Sequence, residues 1–126
     1  MASNKILVVE DNELNMKLAS SMLKLGHYQV LEAGDAETGI QIARENLPDL
    51  ILMDIQLPCM DGLQATRIIK KDPILSNIPI VALTSYAMQG DEKKARSAGC
   101  TGYIAKPIDT RIFLDTLALY LMPADQ

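Results

Sequence analysis

Apolar residues occur along this chain as short unbroken runs separated by longer stretches of mixed character. Residues 6–9 and 50–53 are continuously apolar, and residues 78–83 are interrupted only by Pro79. Runs this short and this rich in branched side chains suit strands buried on both faces. Residues 28–31 and 102–105 are two weaker strand candidates. Between the runs, apolar positions recur at helical spacing. Leu14, Leu18, Met22 and Leu25 form one stripe, with Asn12 placed to cap it and Gly26 to stop it. Asp35 opens a second helix carrying Ile40, Ala43 and Leu47, which Pro48 ends. Asp61 precedes a third with Leu63, Ile68 and Ile69. Residues 86–98 read as a polar fourth helix closed by Gly99, and Asp109 caps a fifth with Ile112, Leu114, Leu117 and Leu121.

Five strand–helix alternations predict an α/β protein, a parallel sheet with helices on both faces. Right-handed crossovers leave few windings. The natural one is a three-layer (βα)5 sandwich, a flavodoxin-like parallel sheet with strand order 2-1-3-4-5. No repeat, linker or low-complexity tract divides the 126 residues, so one domain spanning 1–126 is expected, with no output domain. The 48% hydrophobic content excludes a disordered chain, and no apolar run approaches a membrane span or a signal peptide. Cys59 and Cys100 do not make a disulfide framework, which suits a cytoplasmic setting. Cys59 reads as a loop residue and Cys100 as a packed apolar one. Twelve basic against sixteen acidic residues give a net charge of −4, a poor match to nucleic acid.

In such sheets, ligands sit beyond the carboxyl ends of the strands, where the strand order reverses. Those ends read Glu10-Asp11-Asn12, Asp54-Ile55-Gln56, Thr84-Ser85 and Lys106-Pro107. Each alone has an ordinary role, such as a helix cap, a turn acid or a solvated loop lysine. Together, on four neighbouring strands, they bring three carboxylates, a hydroxyl and an amine to one rim. Carboxylates about 5 Å apart repel by roughly 3 kcal/mol per pair at an effective dielectric of 20. Such a cluster takes up protons or a cation, and all-oxygen ligands suit Mg²⁺. Asp54, at the end of the central strand, is the best-placed nucleophile for an aspartyl-phosphate, with Lys106 and Thr84 to meet phosphoryl oxygens.

The segments ILVVEDN, PDLILMDIQLPCMDG, PIVALTSYA and GYIAKP resemble the receiver domain of two-component response regulators, over residues 5–121. Within that family, VEDNELNMKL and ARENLPDLILMDIQLP are similar to DivK-type stand-alone receivers. The resemblance implies a single-domain response regulator, a phosphoprotein of phosphorelay signal transduction rather than an enzyme. Asp54 would accept a phosphoryl group from a histidine kinase or histidine phosphotransfer protein. Glu10, Asp11, Asp54 and the Gln56 carbonyl would hold one Mg²⁺. Thr84 and Tyr103 match the switch pair and Lys106 the phosphate-binding lysine, supported by Ser85, Tyr86 and Pro107. Gln56 and Tyr86 match positions that govern phosphate lifetime, and a lifetime of minutes is expected. The surface of the fourth helix, fifth strand and fifth helix would then change toward downstream protein targets, in a monomer or weak phosphorylation-dependent dimer.

The phosphohistidine must come from a partner, since His27 lies in a Gly-His-Tyr turn. The first helix, starting beside Asp11, is the expected docking surface, displaying Glu13, Asn15, Met16 and Lys17. Competing classes fit less well. A cofactor-binding flavodoxin-like module wants a Ser/Thr/Gly-rich loop after the first strand, and a P-loop is absent. An aspartyl-phosphate phosphatase wants a second acid where Gln56 stands. A receiver cut from a larger protein remains open.

Overall fold

A computed structural model describes residues 4–57, 60–84, 89–106 and 108–121, the side chains of 89–92 excepted. The elements run β1 (Lys5–Val9), α1 (Glu13–Leu25), β2 (Gln29–Ala33), α2 (Ala36–Asn46), β3 (Leu50–Asp54), α3 (Gly62–Lys71), β4 (Ile80–Thr84), α4 (Gln89–Ala98), β5 (Gly102–Ala105) and α5 (Phe113–Leu121). All strands are parallel, in the order β2-β1-β3-β4-β5 expected from the alternation.

The unbroken apolar runs are explained by two cores, one on each side of the sheet. Ile6, Val8, Leu50, Leu52, Val81 and Leu83 face Ala19 and Leu23 of α1 and Phe113 and Leu117 of α5. Leu7, Val9, Ile51, Met53, Ile80 and Ala82 face α2, α3 and α4 through residues such as Ile40, Ala43, Ala65, Ile69 and Ala95. Successive strand residues point to opposite faces, so a strand covered on both sides has no position for a polar side chain until its end.

Three helices start where the sequence places their caps. Asn12, Asp35 and Asp61 each accept the backbone N–H three residues on, at 3.0, 2.8 and 2.7 Å. Asp109 does not cap α5 directly. It opens a turn instead, accepting from Arg111 N at 3.0 Å, and α5 begins at Phe113.

The stripe predicted for α1 is turned outward. Leu14 is 77% exposed, Leu18 37% and Leu25 71%, with Met22 half-buried. Ala19, Ser20 and Leu23 are buried instead, one residue or about 100° around the helix. Both stripes have helical spacing, but the small Ala19 and Ser20 let α1 approach the sheet, which a leucine pair would hold off. Ile112 and Leu47 are likewise solvent-facing. Ile112 precedes α5, whose core side is Phe113 and Leu117. Leu47 is the left-handed C-cap of α2, at φ 49°. Gly26 ends α1, yet at φ −84°; His27 takes the left-handed conformation at φ 68° and is exposed, as a turn residue. A Cβ at Gly26 would lie 2.9 Å from the end of the Leu114 side chain, which would have to shift slightly.

Candidate functional site

Four strand ends build the rim. Val9 pairs with Met53, so the next residues, Glu10 and Asp54, emerge side by side. Asp54 pairs with Leu83, and Thr84 with Ala105, which places Thr84 and Lys106 on the adjoining steps. The ladder continues past the strand ends, with Glu10 N donating to Ala33 O at 3.0 Å and Lys106 N to Thr84 O at 2.7 Å. Glu10 and Asp54 are 3% and 2% exposed, whereas Asp11 is open to solvent. One carboxylate oxygen from each of Glu10, Asp11 and Asp54 lies within 4.8 Å of the others.

Lys106 closes this cluster. Its Nζ donates to Asp54 Oδ2 at 3.1 Å and stands 2.6 Å from Glu10 Oε1. The second oxygen of each acid goes to backbone: Gln56 N donates to Asp54 Oδ1 at 2.9 Å, and Asn12 N to Glu10 Oε2 at 3.1 Å. Burial pushes the Glu10 carboxyl above its ordinary value, and its contact with Asp54 adds to this, against the lowering effect of Lys106 and the Asn12 amide. For Lys106, burial disfavours the ammonium, but Glu10 and Asp54 outweigh it and raise the lysine above its ordinary value. The cluster therefore keeps its lysine charged.

Glu10 Oε1 is buried with the Lys106 ammonium as its partner, at 2.6 Å. Lys106 sets one positive charge against three carboxylates, so the cluster keeps a net negative charge that a further cation would offset. Three convergent carboxylates and an open side at Asp11 are the donor set of a hard divalent ion that keeps some of its water.

The structure thus brings Glu10, Asp11, Asp54 and Lys106 together. Thr84 is buried at the end of β4, and its carbonyl orients Lys106 through the backbone. Gln56 is exposed and holds Asp54 through its own N–H. Tyr103 lies on β5, three residues before Lys106. It is half-buried on β5 opposite Ala82, packs on the core under α2 to α4, and lines a cavity of about 410 Å³ with Ala105, Asp109, Ile112 and Phe113. Ser85, Tyr86, Pro107 and Cys59 lie outside the described residues. Cys100 is the packed residue expected, 3.8 Å from Thr66 Oγ1, with burial pushing its thiol up.

Two features of the site escaped the reading of strand ends. Gly62 presses against the backbone of Asp54 and Ile55, where a Cβ would overlap the Asp54 carbonyl. Asp61-Gly62, an N-cap followed by a residue without a side chain, was the signal. The second is the outward stripe of α1 beside Asp11, which spacing alone could not tell from the inward one.

A flavodoxin-like sheet whose central strand ends in a buried acid, flanked by two more acids and a lysine, defines a class of signalling domain. The chain belongs to the response regulator receiver domain family, which matches residues 6–118. It is therefore a receiver domain of two-component systems, of a kind that signals rather than serving as an enzyme in the usual sense. It is 45% identical over 116 residues to the polar-differentiation response regulator DivK of Brucella anthropi, covering 92% of this chain and 94% of that one. The DivK of Brucella ovis is 44% identical over 119 residues, covering 94% and 97%. Among solved structures, a putative response regulator from Chloroflexus aurantiacus superposes with a TM-score of 0.92 at 25% identity, covering 95% and 98%. The receiver domain of a sensor histidine kinase from Pseudomonas aeruginosa, crystallised with a magnesium ion coordinated in its active-site cleft, gives 0.88 at 36% identity with the same coverage.

Proposed function

We propose that the protein is a response regulator that accepts a phosphoryl group on Asp54, in a Mg²⁺-dependent reaction, from a phosphohistidine on a histidine kinase or histidine phosphotransfer protein. The observation that carries this reading is the state of Asp54. It is a buried carboxylate with one oxygen on Gln56 N–H, the other on Lys106, and two further acids within reach.

In the transfer, an Asp54 carboxylate oxygen attacks phosphorus and an O–P bond forms. The P–N bond to the donor imidazole breaks, and the ring nitrogen leaves with the electron pair. Little covalent work falls to the protein, so positioning and charge decide the rate. Gln56 N–H fixes the rotation of the Asp54 carboxylate, and Lys106 stands where it can follow the charge from carboxylate to phosphoryl oxygen. Glu10, Asp11 and Asp54, with the Gln56 carbonyl that the family resemblance adds, are the residues that would hold Mg²⁺. The ion, when bound, neutralises the carboxylates and lets an anionic donor approach them.

Phosphorylation adds nearly two negative charges beside Lys106 and Thr84. Thr84 and Tyr103 then act as the switch pair. Tyr103 lies at the cavity between β5 and the start of α5, so its movement would alter the α4–β5–α5 face offered to downstream protein targets. The donor docks on α1, where exposed Leu14 and Leu18 with Lys17 form a stripe beside Asp11. No helix among the described residues is long and apolar enough to cross a membrane, and a cytoplasmic site of action accords with that.

The test is incubation with Mg²⁺ and a small phosphodonor, followed by intact mass measurement of wild type and Asp54→Ala. One phosphoryl group on wild type, none on the variant and none with chelator present is the expected result. Equal labelling of the variant would remove the assignment.

A further inference from the structure

Helix α3 buries a hydroxyl on the side that faces the sheet. Thr66 is fully buried there, beside Gly62, Ala65 and Ile69 of the same helix. A polar group in such a place must be partnered. Thr66 Oγ1 donates to Gly62 O at 2.7 Å, the carbonyl one turn back that the helix ladder also offers to the Thr66 amide. Cys100 Sγ lies 3.8 Å from the same oxygen. The hydroxyl has one proton and Gly62 O takes it, so the thiol is the donor in that contact. Burial keeps the Cys100 thiol protonated, as a donor must be, outweighing Thr66 and Lys70, which act the other way.

These bonds end on the residue that meets Asp54. Gly62 presses on the main chain of Asp54 and Ile55, and its N–H donates to Ile55 O at 3.3 Å. That carbonyl belongs to the same planar peptide group as Gln56 N–H, which holds Asp54 Oδ1 at 2.9 Å. Gly62 and the Asp54 carboxylate thus grip opposite edges of one rigid plate. At 3.3 Å the grip of Gly62 is long, and alone it holds the plate loosely. A threonine bonded to the carbonyl four residues back bends its helix, here at the first turn of α3, which lies against the end of β3. Cys100 steadies the hydroxyl from the other side. It follows α4, and its own N–H donates to Ala95 O at 3.0 Å.

We propose that Thr66 is a positioning residue for phosphoryl transfer to Asp54. Its hydroxyl, held by the Cys100 thiol, sets the first turn of α3 so that Gly62 orients the Ile55–Gln56 peptide and, through it, the acceptor carboxylate. The inference rests on reading Asp54 as the phosphoacceptor.

Two variants separate the hydroxyl from the shape of the side chain. Thr66→Val keeps the shape and deletes the hydroxyl, and Thr66→Ser keeps the hydroxyl. With Mg²⁺ and phosphoramidate, timed mass measurements should show Thr66→Val labelled on the order of tenfold more slowly than wild type, inside the hundredfold that a misplacement of about 1 Å can cost. Thr66→Ser should keep the wild-type rate. The Gln56 amide resonance should move in Thr66→Val and stay in place in Thr66→Ser. Ile69→Val controls for packing, since it thins the same core without touching a polar group. It should lower the urea midpoint and leave labelling unchanged. Labelling of Thr66→Val at the wild-type rate, or a loss matched by Ile69→Val, would overturn the positioning role while leaving Asp54 as acceptor. A wild type that takes up no phosphoryl group removes the acceptor reading, and the inference with it. If Thr66→Val does not fold, Thr66→Ala takes its place against Thr66→Ser, with the same outcomes.

Discussion

Gly62 packs its Cα against the backbone of Asp54, so closely that a Cβ at this position would lie 2.7 Å from Ile55 Cα and inside the Asp54 carbonyl. The obstacle is main chain on both sides, since Asp54 belongs to β3 and Gly62 N donates to Ile55 O at 3.3 Å. Gly62→Ala must therefore push α3 away from the end of β3. We expect a loss of roughly 1–3 kcal/mol, typical of overpacking, together with slower phosphoryl uptake at Asp54. Urea denaturation and timed mass measurements check the two effects separately, and a variant as stable as wild type would contradict the contact.

Helix α1 offers a contrast between its two stripes. Leu14→Ala and Leu18→Ala remove exposed side chains and should change stability by no more than about 0.5 kcal/mol. Leu23→Ala empties a fully buried site and should cost about 2–5 kcal/mol. If α1 receives the phosphohistidine donor, the two exposed variants and Lys17→Glu should slow transfer from a cognate protein donor while a small phosphodonor labels them at the wild-type rate. Loss of both routes together would place the defect in the pocket.

Lys106 gives a pH dependence of defined sign. Its native value is raised above the ordinary 10.5 by Glu10 and Asp54, against the opposing effect of burial. Above pH 10.5 the unfolded chain releases this proton and the native protein still holds it, so stability must fall as pH rises. The contribution is fully present below the unfolded value and disappears as pH climbs through the native one. The fall in urea midpoint above that pH should be steeper for wild type than for Lys106→Met. Parallel curves would mean that the lysine titrates alike in both states.

Magnesium should stabilise the fold by mass action, since a chain without the assembled rim cannot gather Glu10, Asp11 and Asp54. At ten times its dissociation constant the gain is about 1.4 kcal/mol. Thermal melts with Mg²⁺ and with chelator measure it. Asp11→Asn should reduce the difference, because Asp11 is the solvent-facing member of the cluster and its removal leaves the buried pair intact. An unchanged Mg²⁺ effect in that variant would take Asp11 out of the ligand set.

The strands, their order and the rim residues were readable in the sequence because a doubly covered strand writes its burial as an unbroken apolar run. Residues 102–105 were found with their bounds intact, and β1, β3 and β4 differ by one or two residues. Helix caps at Asn12, Asp35 and Asp61 were equally plain, since a short polar side chain before a periodic stretch has few other uses. The rotation of α1 was not readable. Leu14 and Leu18 satisfy the same spacing as Ala19 and Leu23, and hydrophobicity favours the leucines, whereas closeness to the sheet favours small residues. The coupling of Glu10 to Lys106 was also hidden, because which acid a lysine reaches depends on side-chain length and on which oxygens the backbone has already taken. Gly62 lay within a recognised segment, but only the distance to Asp54 shows what it does.

The division of the apolar residues into two cores has a consequence for how this protein can change. Every interior position of β1, β3 and β4 belongs to one packing layer or the other, so stability is encoded along the strands and chemistry only where they stop. Repacking at Val8, Leu52 or Val81 can alter how well the domain holds together without touching a group that meets phosphate or metal. Glu10, Asp54 and Lys106 can in turn be exchanged without opening a hole in either layer. A lineage carrying this sheet is free to drift in its interior while its rim stays fixed, or to retire the rim and keep the scaffold.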